Sequence, residues 1–453
     1  MENINNNNFT QGSIPKHLVK FAIPLILALI LQALYSAVDM IIVGKFGDTA
    51  SVAAVATGGQ VMHLVTVIIS GLAMGLTVKI GQYVGAKDNK KLADSIGTSI
   101  FLFAVVTVIV TVIMLIFAKD ISRLMRVPEE ALGKTVDYVV ICSIGTVFIV
   151  AYNVISGIFR GFGDSKTPLE FIAVACVINI IGDILLVGVF KLDTAGAAIA
   201  TVFAQAMSVL FSLLMMKKRG FPFKFSRENI RINKSRLKSI LKVGFPISLQ
   251  DSLTSFSFLI ITAIVNGIGL AESASIGIAE KTFIILGIIP MSFMSAISAI
   301  VAQNKGAKEH DRAFKTLKTG MFISFAFGIL SFSLSFFGGG FLASIFEKNP
   351  DVIYITSIYL KSSSFEYLII SITFCMIGYY NGYGKSTFNM LQSLLTAFLV
   401  RIPLSYLFSV MEGSTMFHIG LAVPISATIS LIACSVYLIF MRRKIRANQL
   451  LSD

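Results

Sequence analysis

Charge is scarce in this chain: Asp, Glu, Lys and Arg make up only 14% of its 453 residues, against 55% hydrophobic residues. A soluble domain carries about 25% charged residues, so a water-exposed globular fold is excluded, and the mean hydropathy of +0.82 agrees. Tryptophan is absent and cysteine nearly so. The four cysteines, Cys142, Cys176, Cys375 and Cys434, stand singly in apolar runs. Without a C-x-x-C spacing they indicate neither disulfides nor a thiolate metal site and read as core fillers. Four scattered histidines form no H-x-x-x-H or H-E-x-x-H pattern, which argues against a zinc enzyme. The glycine pairs Gly161-x-Gly163 and Gly382-x-Gly384 follow no strand and precede no G-K-[ST], so nucleotide is not the expected energy source. Neither a cofactor nor enzymatic chemistry is expected. The polar, Asn-rich start from Met1 to His17 has no basic region and no cleavage site, so no leader is expected to be removed.

What the chain has in abundance is apolar runs of roughly 20 to 28 residues, the length of an α-helix crossing about 30 Å of hydrocarbon, with no strand-like alternation. Twelve spans are predicted, near 18–44, 50–82, 92–118, 132–159, 168–190, 194–216, 239–267, 273–302, 314–341, 352–380, 386–411 and 416–441. The expected class is an all-α integral membrane protein whose surroundings are the lipid bilayer. The net charge of +14 is held in short segments between spans, which suits membrane topology better than nucleic acid. The segment Lys217–Lys238 carries nine Lys or Arg against one Glu, and the other even-numbered connections hold Lys87, Lys90, Lys91, Arg160, Lys166, Lys305, Lys308, Arg312 and Lys385. Excess positive charge marks the cytoplasmic side, so both termini are expected inside the cell. Lys- and Asn-rich loops without tryptophan fit a bacterium with a low-GC genome.

One plan is written twice. Gly85-Ala86-Lys87 returns as Gly306-Ala307-Lys308, Gly161-x-Gly163 as Gly382-x-Gly384 and Tyr138 as Tyr359, each displaced by 221 positions (306 minus 85). The expected organisation is an amino-terminal lobe of six spans over 1–216, a basic linker over 217–238 and a carboxy-terminal lobe over 239–453. Six is even, so the lobes are parallel repeats, an arrangement that transporters place around a central cavity. The chain is expected to act as a monomer.

Ionisable residues within spans are costly and therefore functional candidates. Gln32, Tyr35, Ser36 and Asp39 share one face of the first span by three- and four-residue steps. Asn179 and Asp183 share a face of the fifth, Thr201 lies inside the sixth and Tyr138 inside the fourth. Counted from the outer ends, Asp39, Asp183, Thr201 and Tyr138 lie about 7 to 11 Å deep at ~1.5 Å per residue. Two carboxylates, an amide and a hydroxyl are hard oxygen ligands suited to Na⁺, and paired acids also favour H⁺.

At these residues the sequence resembles the multidrug and toxic compound extrusion (MATE) family, over nearly the whole chain. The matching pieces are Pro24 with Gln32-x-x-Tyr35-x-x-x-Asp39, Gly81-Gln82-x-x-Gly85-Ala86, Arg160-Gly161-x-Gly163-Asp164-x-x-x-Pro168, Gln303-Asn304-x-Gly306-Ala307 and Arg401-Ile402-Pro403. The resemblance is to the DinF-like branch. It implies a two-lobed antiporter that expels cationic or amphipathic organic compounds in exchange for inward Na⁺ or H⁺. It also implies a cation-coupling site at Asp39, Asn179, Asp183 and Thr201, with Tyr138 and Asn153 as neighbours. Carboxylates that NorM-like members carry in the seventh and tenth spans are replaced here by Thr254 and Ser371.

Further candidates for contact with substrate are Gln32, Tyr35, His63, Gln250 and Asp251. Glu366 and Arg401 are expected to form a structural ion pair in the second lobe. A lipid or lipid-linked saccharide flippase is the alternative function, although it would call for several central Arg or Lys where this chain has almost only Arg401.

Overall fold

The computed structural model describes residues 8–220 and 225–450. Among them fifteen α-helices follow one another: α1 Ile14–Phe46, α2 Thr49–Gly85, α3 Asn89–Leu124, α4 Glu129–Ile144, α5 Thr146–Gly161, α6 Lys166–Asp183, α7 Asp193–Arg219, α8 Lys234–Asn266, α9 Leu270–Gly306, α10 His310–Ser344, α11 Pro350–Ser363, α12 Phe365–Gly382, α13 Ser386–Thr396, α14 Ile402–Val410 and α15 Met416–Leu450. π-helical turns at Ile184–Val189 and Ala397–Arg401 extend α6 and join α13 to α14. Twelve spans result when two bent pairs each count once: α4 with α5, bent by 48°, and α11 with α12, bent by 46°. The fourth and tenth spans, each predicted as one run, are thus broken. At the first break, a side chain on Gly145 would collide with Val202 of α7. The glycine lets the bend approach its neighbour.

Turn chemistry explains the helix ends. Asp48 caps α2 by accepting from Ser51 N at 2.7 Å, Asp88 caps α3 from Lys91 N at 3.0 Å, and Asn349 caps α11 ahead of Pro350. Outside the helices, Lys91 beside Asp88 holds that carboxyl below its ordinary range.

The repeat is present at the level of single hydrogen bonds. After α2, Ala86, Lys87 and Asp88 donate to Gln82, Val84 and Tyr83. After α9, Ala307, Lys308 and Glu309 donate to Gln303, Lys305 and Asn304, every partner displaced by 221 (303 minus 82). Lys87 and Lys308 share the left-handed backbone, with φ of 53° and 63°. Gly163 and Gly384 share it in the turns after α5 and α12, with φ of 88° and 72°, a conformation glycine adopts without steric cost. Helix packing repeats as well. A Cβ on Gly161 would lie 2.9 Å from Thr77 O, and one on Gly382 would lie 2.8 Å from Ser298 O. Small residues let α2 meet α5, and α9 meet α12, backbone against backbone.

Contacts divide the chain into two compact units. One comprises Ile23–Ser248 with the residues up to Phe9, and the other Thr10–Ala22 with Leu249–Asp453. The boundary departs from the expected 1–216 and 239–453 partition. Residues 10–22, which include the start of α1, cluster with the second unit and residues 234–248 of α8 with the first, and the crossovers fall beside Pro24 and Pro246, the prolines inside these helices.

Burial is inverted relative to a soluble protein. Phe322 and Phe337 are 81% and 79% exposed, as side chains facing hydrocarbon can be. Many small polar residues, such as Thr77, Ser99, Ser122 and Ser143, are buried, with their hydroxyls bonded to helix carbonyls.

Candidate functional site

In the amino-terminal unit, α1, α4, α6 and α7 bring six of the expected residues together. Asp39 is 5% exposed, and Asn179 and Asp183 are fully buried. Asp39 lies against Asp183 and Asn179, and Tyr35 against Thr201, with Asp39 within electrostatic reach of both Tyr35 and Tyr138. Asn179 Nδ2 faces Thr201 Oγ1 at 3.5 Å across the α6–α7 interface. Burying two carboxylates together without a counter-ion is unfavourable, and among the described residues neither has an ion-pair partner. Four buried oxygens, Asp39 Oδ1, Asn179 Oδ1 and both of Asp183, accept no hydrogen bond from the protein. Acceptor oxygens converge here without donors, which is the chemistry a cation satisfies.

Local sequence explains the convergence. A Cβ built on Gly182 would lie 3.0 Å from Ala200, and Ala197, Ala198 and Ala200 are buried, so α6 and α7 pack closely enough for Asn179 to face Thr201. Gly58 of α2 makes room for the Tyr138 ring, since a Cβ there would lie 2.6 Å from Tyr138 Cδ1. The π-helical turn begins immediately after Asp183, and Phe190 N donates to Leu185 O at 2.8 Å. Such turns shift the register of a helix and recur at functional sites.

Other expected residues fall elsewhere. Asn153 is buried on α5, where its Nδ2 donates to Ile149 O of its own helix at 2.9 Å. Gln32 and His63 are exposed on α1 and α2, while Gln250, Asp251 and Thr254 are half-buried on α8. In the carboxy-terminal unit Arg401 Nη2 meets Glu366 Oε1 at 2.6 Å, Arg401 Nε donates to Ser426 Oγ at 3.1 Å, and the guanidinium lies 5.2 Å from the Phe258 ring centroid.

Sequence reasoning missed two features. Cys142, taken as a core filler, lies against Tyr138 and near Asp39, and Cys176 is also near Asp39. Their positions four after Tyr138 and three before Asn179 carried the signal. The second is a charged node one turn from Tyr138. Lys134 Nζ reaches both Asp48 oxygens at 2.8 Å, Ser51 Oγ at 2.8 Å and Asp193 Oδ2 at 2.7 Å. Lys134 and Ser51 hold the Asp48 carboxyl well below its ordinary range.

Fold and site together define a helical membrane protein of two tandem repeats, with a buried acid pair in the first. A family model described as MatE matches residues 24–185 and 246–407, one match to each repeat. The chain belongs to the MatE family. It is similar to Probable multidrug resistance protein YpnP of Bacillus subtilis (strain 168), with 27% identity over 98% of this chain and 99% of that protein. Probable multidrug resistance protein YoeA of the same organism is 26% identical over 98% and 97%. Among solved structures, an outward-facing multidrug resistance MATE family transporter of the MOP superfamily superposes with a TM-score of 0.90 at 20% identity, covering 99% of each chain. That likeness is one of fold.

Proposed function

We propose that this protein is a secondary antiporter of the cell membrane that expels cationic or amphipathic organic compounds in exchange for inward Na⁺ or H⁺. The observation that carries the reading is the buried pair Asp39 and Asp183: Asp39 Oδ1 and both Asp183 oxygens have no protein donor, and neither acid has a basic counter-ion among the described residues. The names of the bacterial relatives support export of drugs. Asp39, Asp183, Asn179 and Thr201 hold the cation, and Tyr138 closes over them. Both termini lie in the cytoplasm, as the basic connections require.

The cation is cargo, and its work is differential binding between two states. Cation held by the acid pair neutralises it and favours an arrangement of α1, around Pro24, in which organic substrate binds weakly and leaves. Descent of one charge through about 100 mV supplies about 2.3 kcal/mol, enough for a substrate gradient of up to tens-fold. Gln32, Tyr35, His63, Gln250 and Asp251 are candidates for contact with substrate. Engagement of Arg401 by Glu366 and Ser426 weighs against its serving as a phosphate-binding group, and so against the flippase alternative.

The test is efflux of an organic dye cation from proteoliposomes under a Na⁺ gradient and, separately, a pH gradient. Efflux driven by one gradient and lost in Asp39→Asn is expected and names the coupling ion. Full transport by Asp39→Asn overturns the coupling role, and no efflux by folded parent under either gradient overturns the antiporter reading.

A further inference from the structure

The Lys134 node stands at one end of the elements that carry the acid pair. Asp48 caps α2 two residues after the end of α1, Lys134 lies on α4 one turn from Tyr138, and Asp193 opens α7 eight residues before Thr201. Lysine has three donors, and here they are shared among Asp48, Ser51 and Asp193, all within 2.8 Å. The elements are pressed together at this point. A Cβ on Gly47 would lie 3.0 Å from Asp193 Oδ1, so the α1–α2 turn passes directly beside Asp193. The turn into α7 holds two non-glycine residues in the left-handed region, Lys191 and Asp193, with φ of 53° and 54°. Such conformations cost energy and persist where surrounding contacts enforce them. Asp193 in that turn is also the residue that bonds Lys134.

Lys134, Tyr138 and Cys142 fall on one face of α4 at four-residue steps. The Lys134 ammonium and the Tyr138 ring near Asp39 are therefore carried by one helix. We propose that Lys134 is a positioning residue for cation uptake: by tying the α1–α2 turn and the start of α7 to α4, it holds Tyr138, Asp39 and the α6–α7 pair in the geometry that binds the cation. The inference rests on the coupling role given above to Asp39 and Asp183. It assigns to Lys134 no contact with the cation, only control of how well the oxygens are placed. The node has two carboxylates for one ammonium, so a residue that merely tuned the local charge would act in the opposite direction. Removing its positive charge would draw cations in, whereas removing a tie weakens their binding.

The experiment compares the parent with Lys134→Gln, Lys134→Arg and the exchange variant Lys134→Asp/Asp48→Lys, which again places one ammonium among two carboxylates. Two quantities are read: the KM of dye efflux for the coupling cation with its Vmax, and the cation concentration at half-maximal thermal stabilisation of the purified full chain. For Lys134→Gln both the KM and that half-point are expected to rise about fivefold with little change in Vmax. Lys134→Arg and the exchange variant are expected to return towards parent values. A KM that is unchanged or lower in Lys134→Gln overturns the inference, as does failure of both restoring variants when cation-free melting equals that of the parent. Should Asp39→Asn bind and transport cation normally, the coupling site itself is wrong. Loss of coupling in Asp39→Asn with parent-like Lys134→Gln removes only the role of Lys134.

Discussion

Arg401 Nη2 lies 2.6 Å from Glu366 Oε1, so the buried carboxylate of the carboxy-terminal unit has its counter-ion built into the chain. Asp39 and Asp183 of the amino-terminal unit have none among the described residues. The two units share a backbone plan down to individual turn hydrogen bonds, yet their buried acids are treated in opposite ways. One is paired within the chain, and the other has no basic partner there.

Removing one partner from a buried pair strands the other and costs about 3 to 5 kcal/mol. Arg401→Met should therefore lower the melting temperature of the purified protein strongly. The double variant Arg401→Met/Glu366→Gln should recover much of the loss. Equal melting of Arg401→Met and parent would show that the pair is energetically idle.

The acid pair should behave in the opposite way. Replacing one of two like-charged buried groups relieves repulsion, and functional sites are commonly held at the expense of stability. In cation-free buffer near pH 8, Asp39→Asn is expected to be more stable than the parent by about 1 to 2 kcal/mol. It should also lose the stabilisation that added coupling cation gives the parent. A less stable Asp39→Asn would mean that the carboxylate is held by partners it does not have in this structure.

Helix packing supplies a comparison between repeats. A side chain on Gly378 would run into the backbone carbonyl of Met294, whereas one on Gly157 would meet Thr77 Oγ1 at 3.1 Å and Ala73 O at 3.2 Å. Gly378→Ala must separate α9 from α12 and should cost about 2 to 3 kcal/mol. Gly157→Ala, at the equivalent position of α2 and α5, needs only a few tenths of an ångström and should cost less. Melting curves of the two variants decide the order.

The pH dependence of the Lys134 node follows from Asp48. Its carboxyl is held below the ordinary range by Lys134 and Ser51. A depressed carboxylate contributes stability above its ordinary value and loses it as pH falls through the lowered one. The difference in melting temperature between parent and Asp48→Asn should thus be flat from pH 5 to 8 and shrink only in strong acid. A difference that changes within pH 5 to 8 would show that another group governs the node.

The spans, the parallel repeat and the acid-bearing faces were legible because each depends on local periodicity: run length against bilayer thickness, a fixed displacement of 221, and three- and four-residue steps along a helix. Tyr138 and Thr201 were legible by their depth along their spans. The breaks at Gly145 and Ser364 were not, because the reason for the first lies in Val202, 57 residues further on (202 minus 145). The clustering of residues 10–22 with the second unit was equally hidden, although Pro24 marked where the change occurs.

Composition and spacing by themselves determined that this chain is a helical membrane protein in two copies, with acids at matching depth in the first. Hydrophobicity and helix geometry act through neighbours in sequence, so they can be read there. Only the tertiary structure decided that Asp39 meets Asp183 without a base and that Lys134 gathers Asp48 and Asp193. Which charge finds which partner depends on how distant helices pack, and each of these meetings joins residues from different helices or turns.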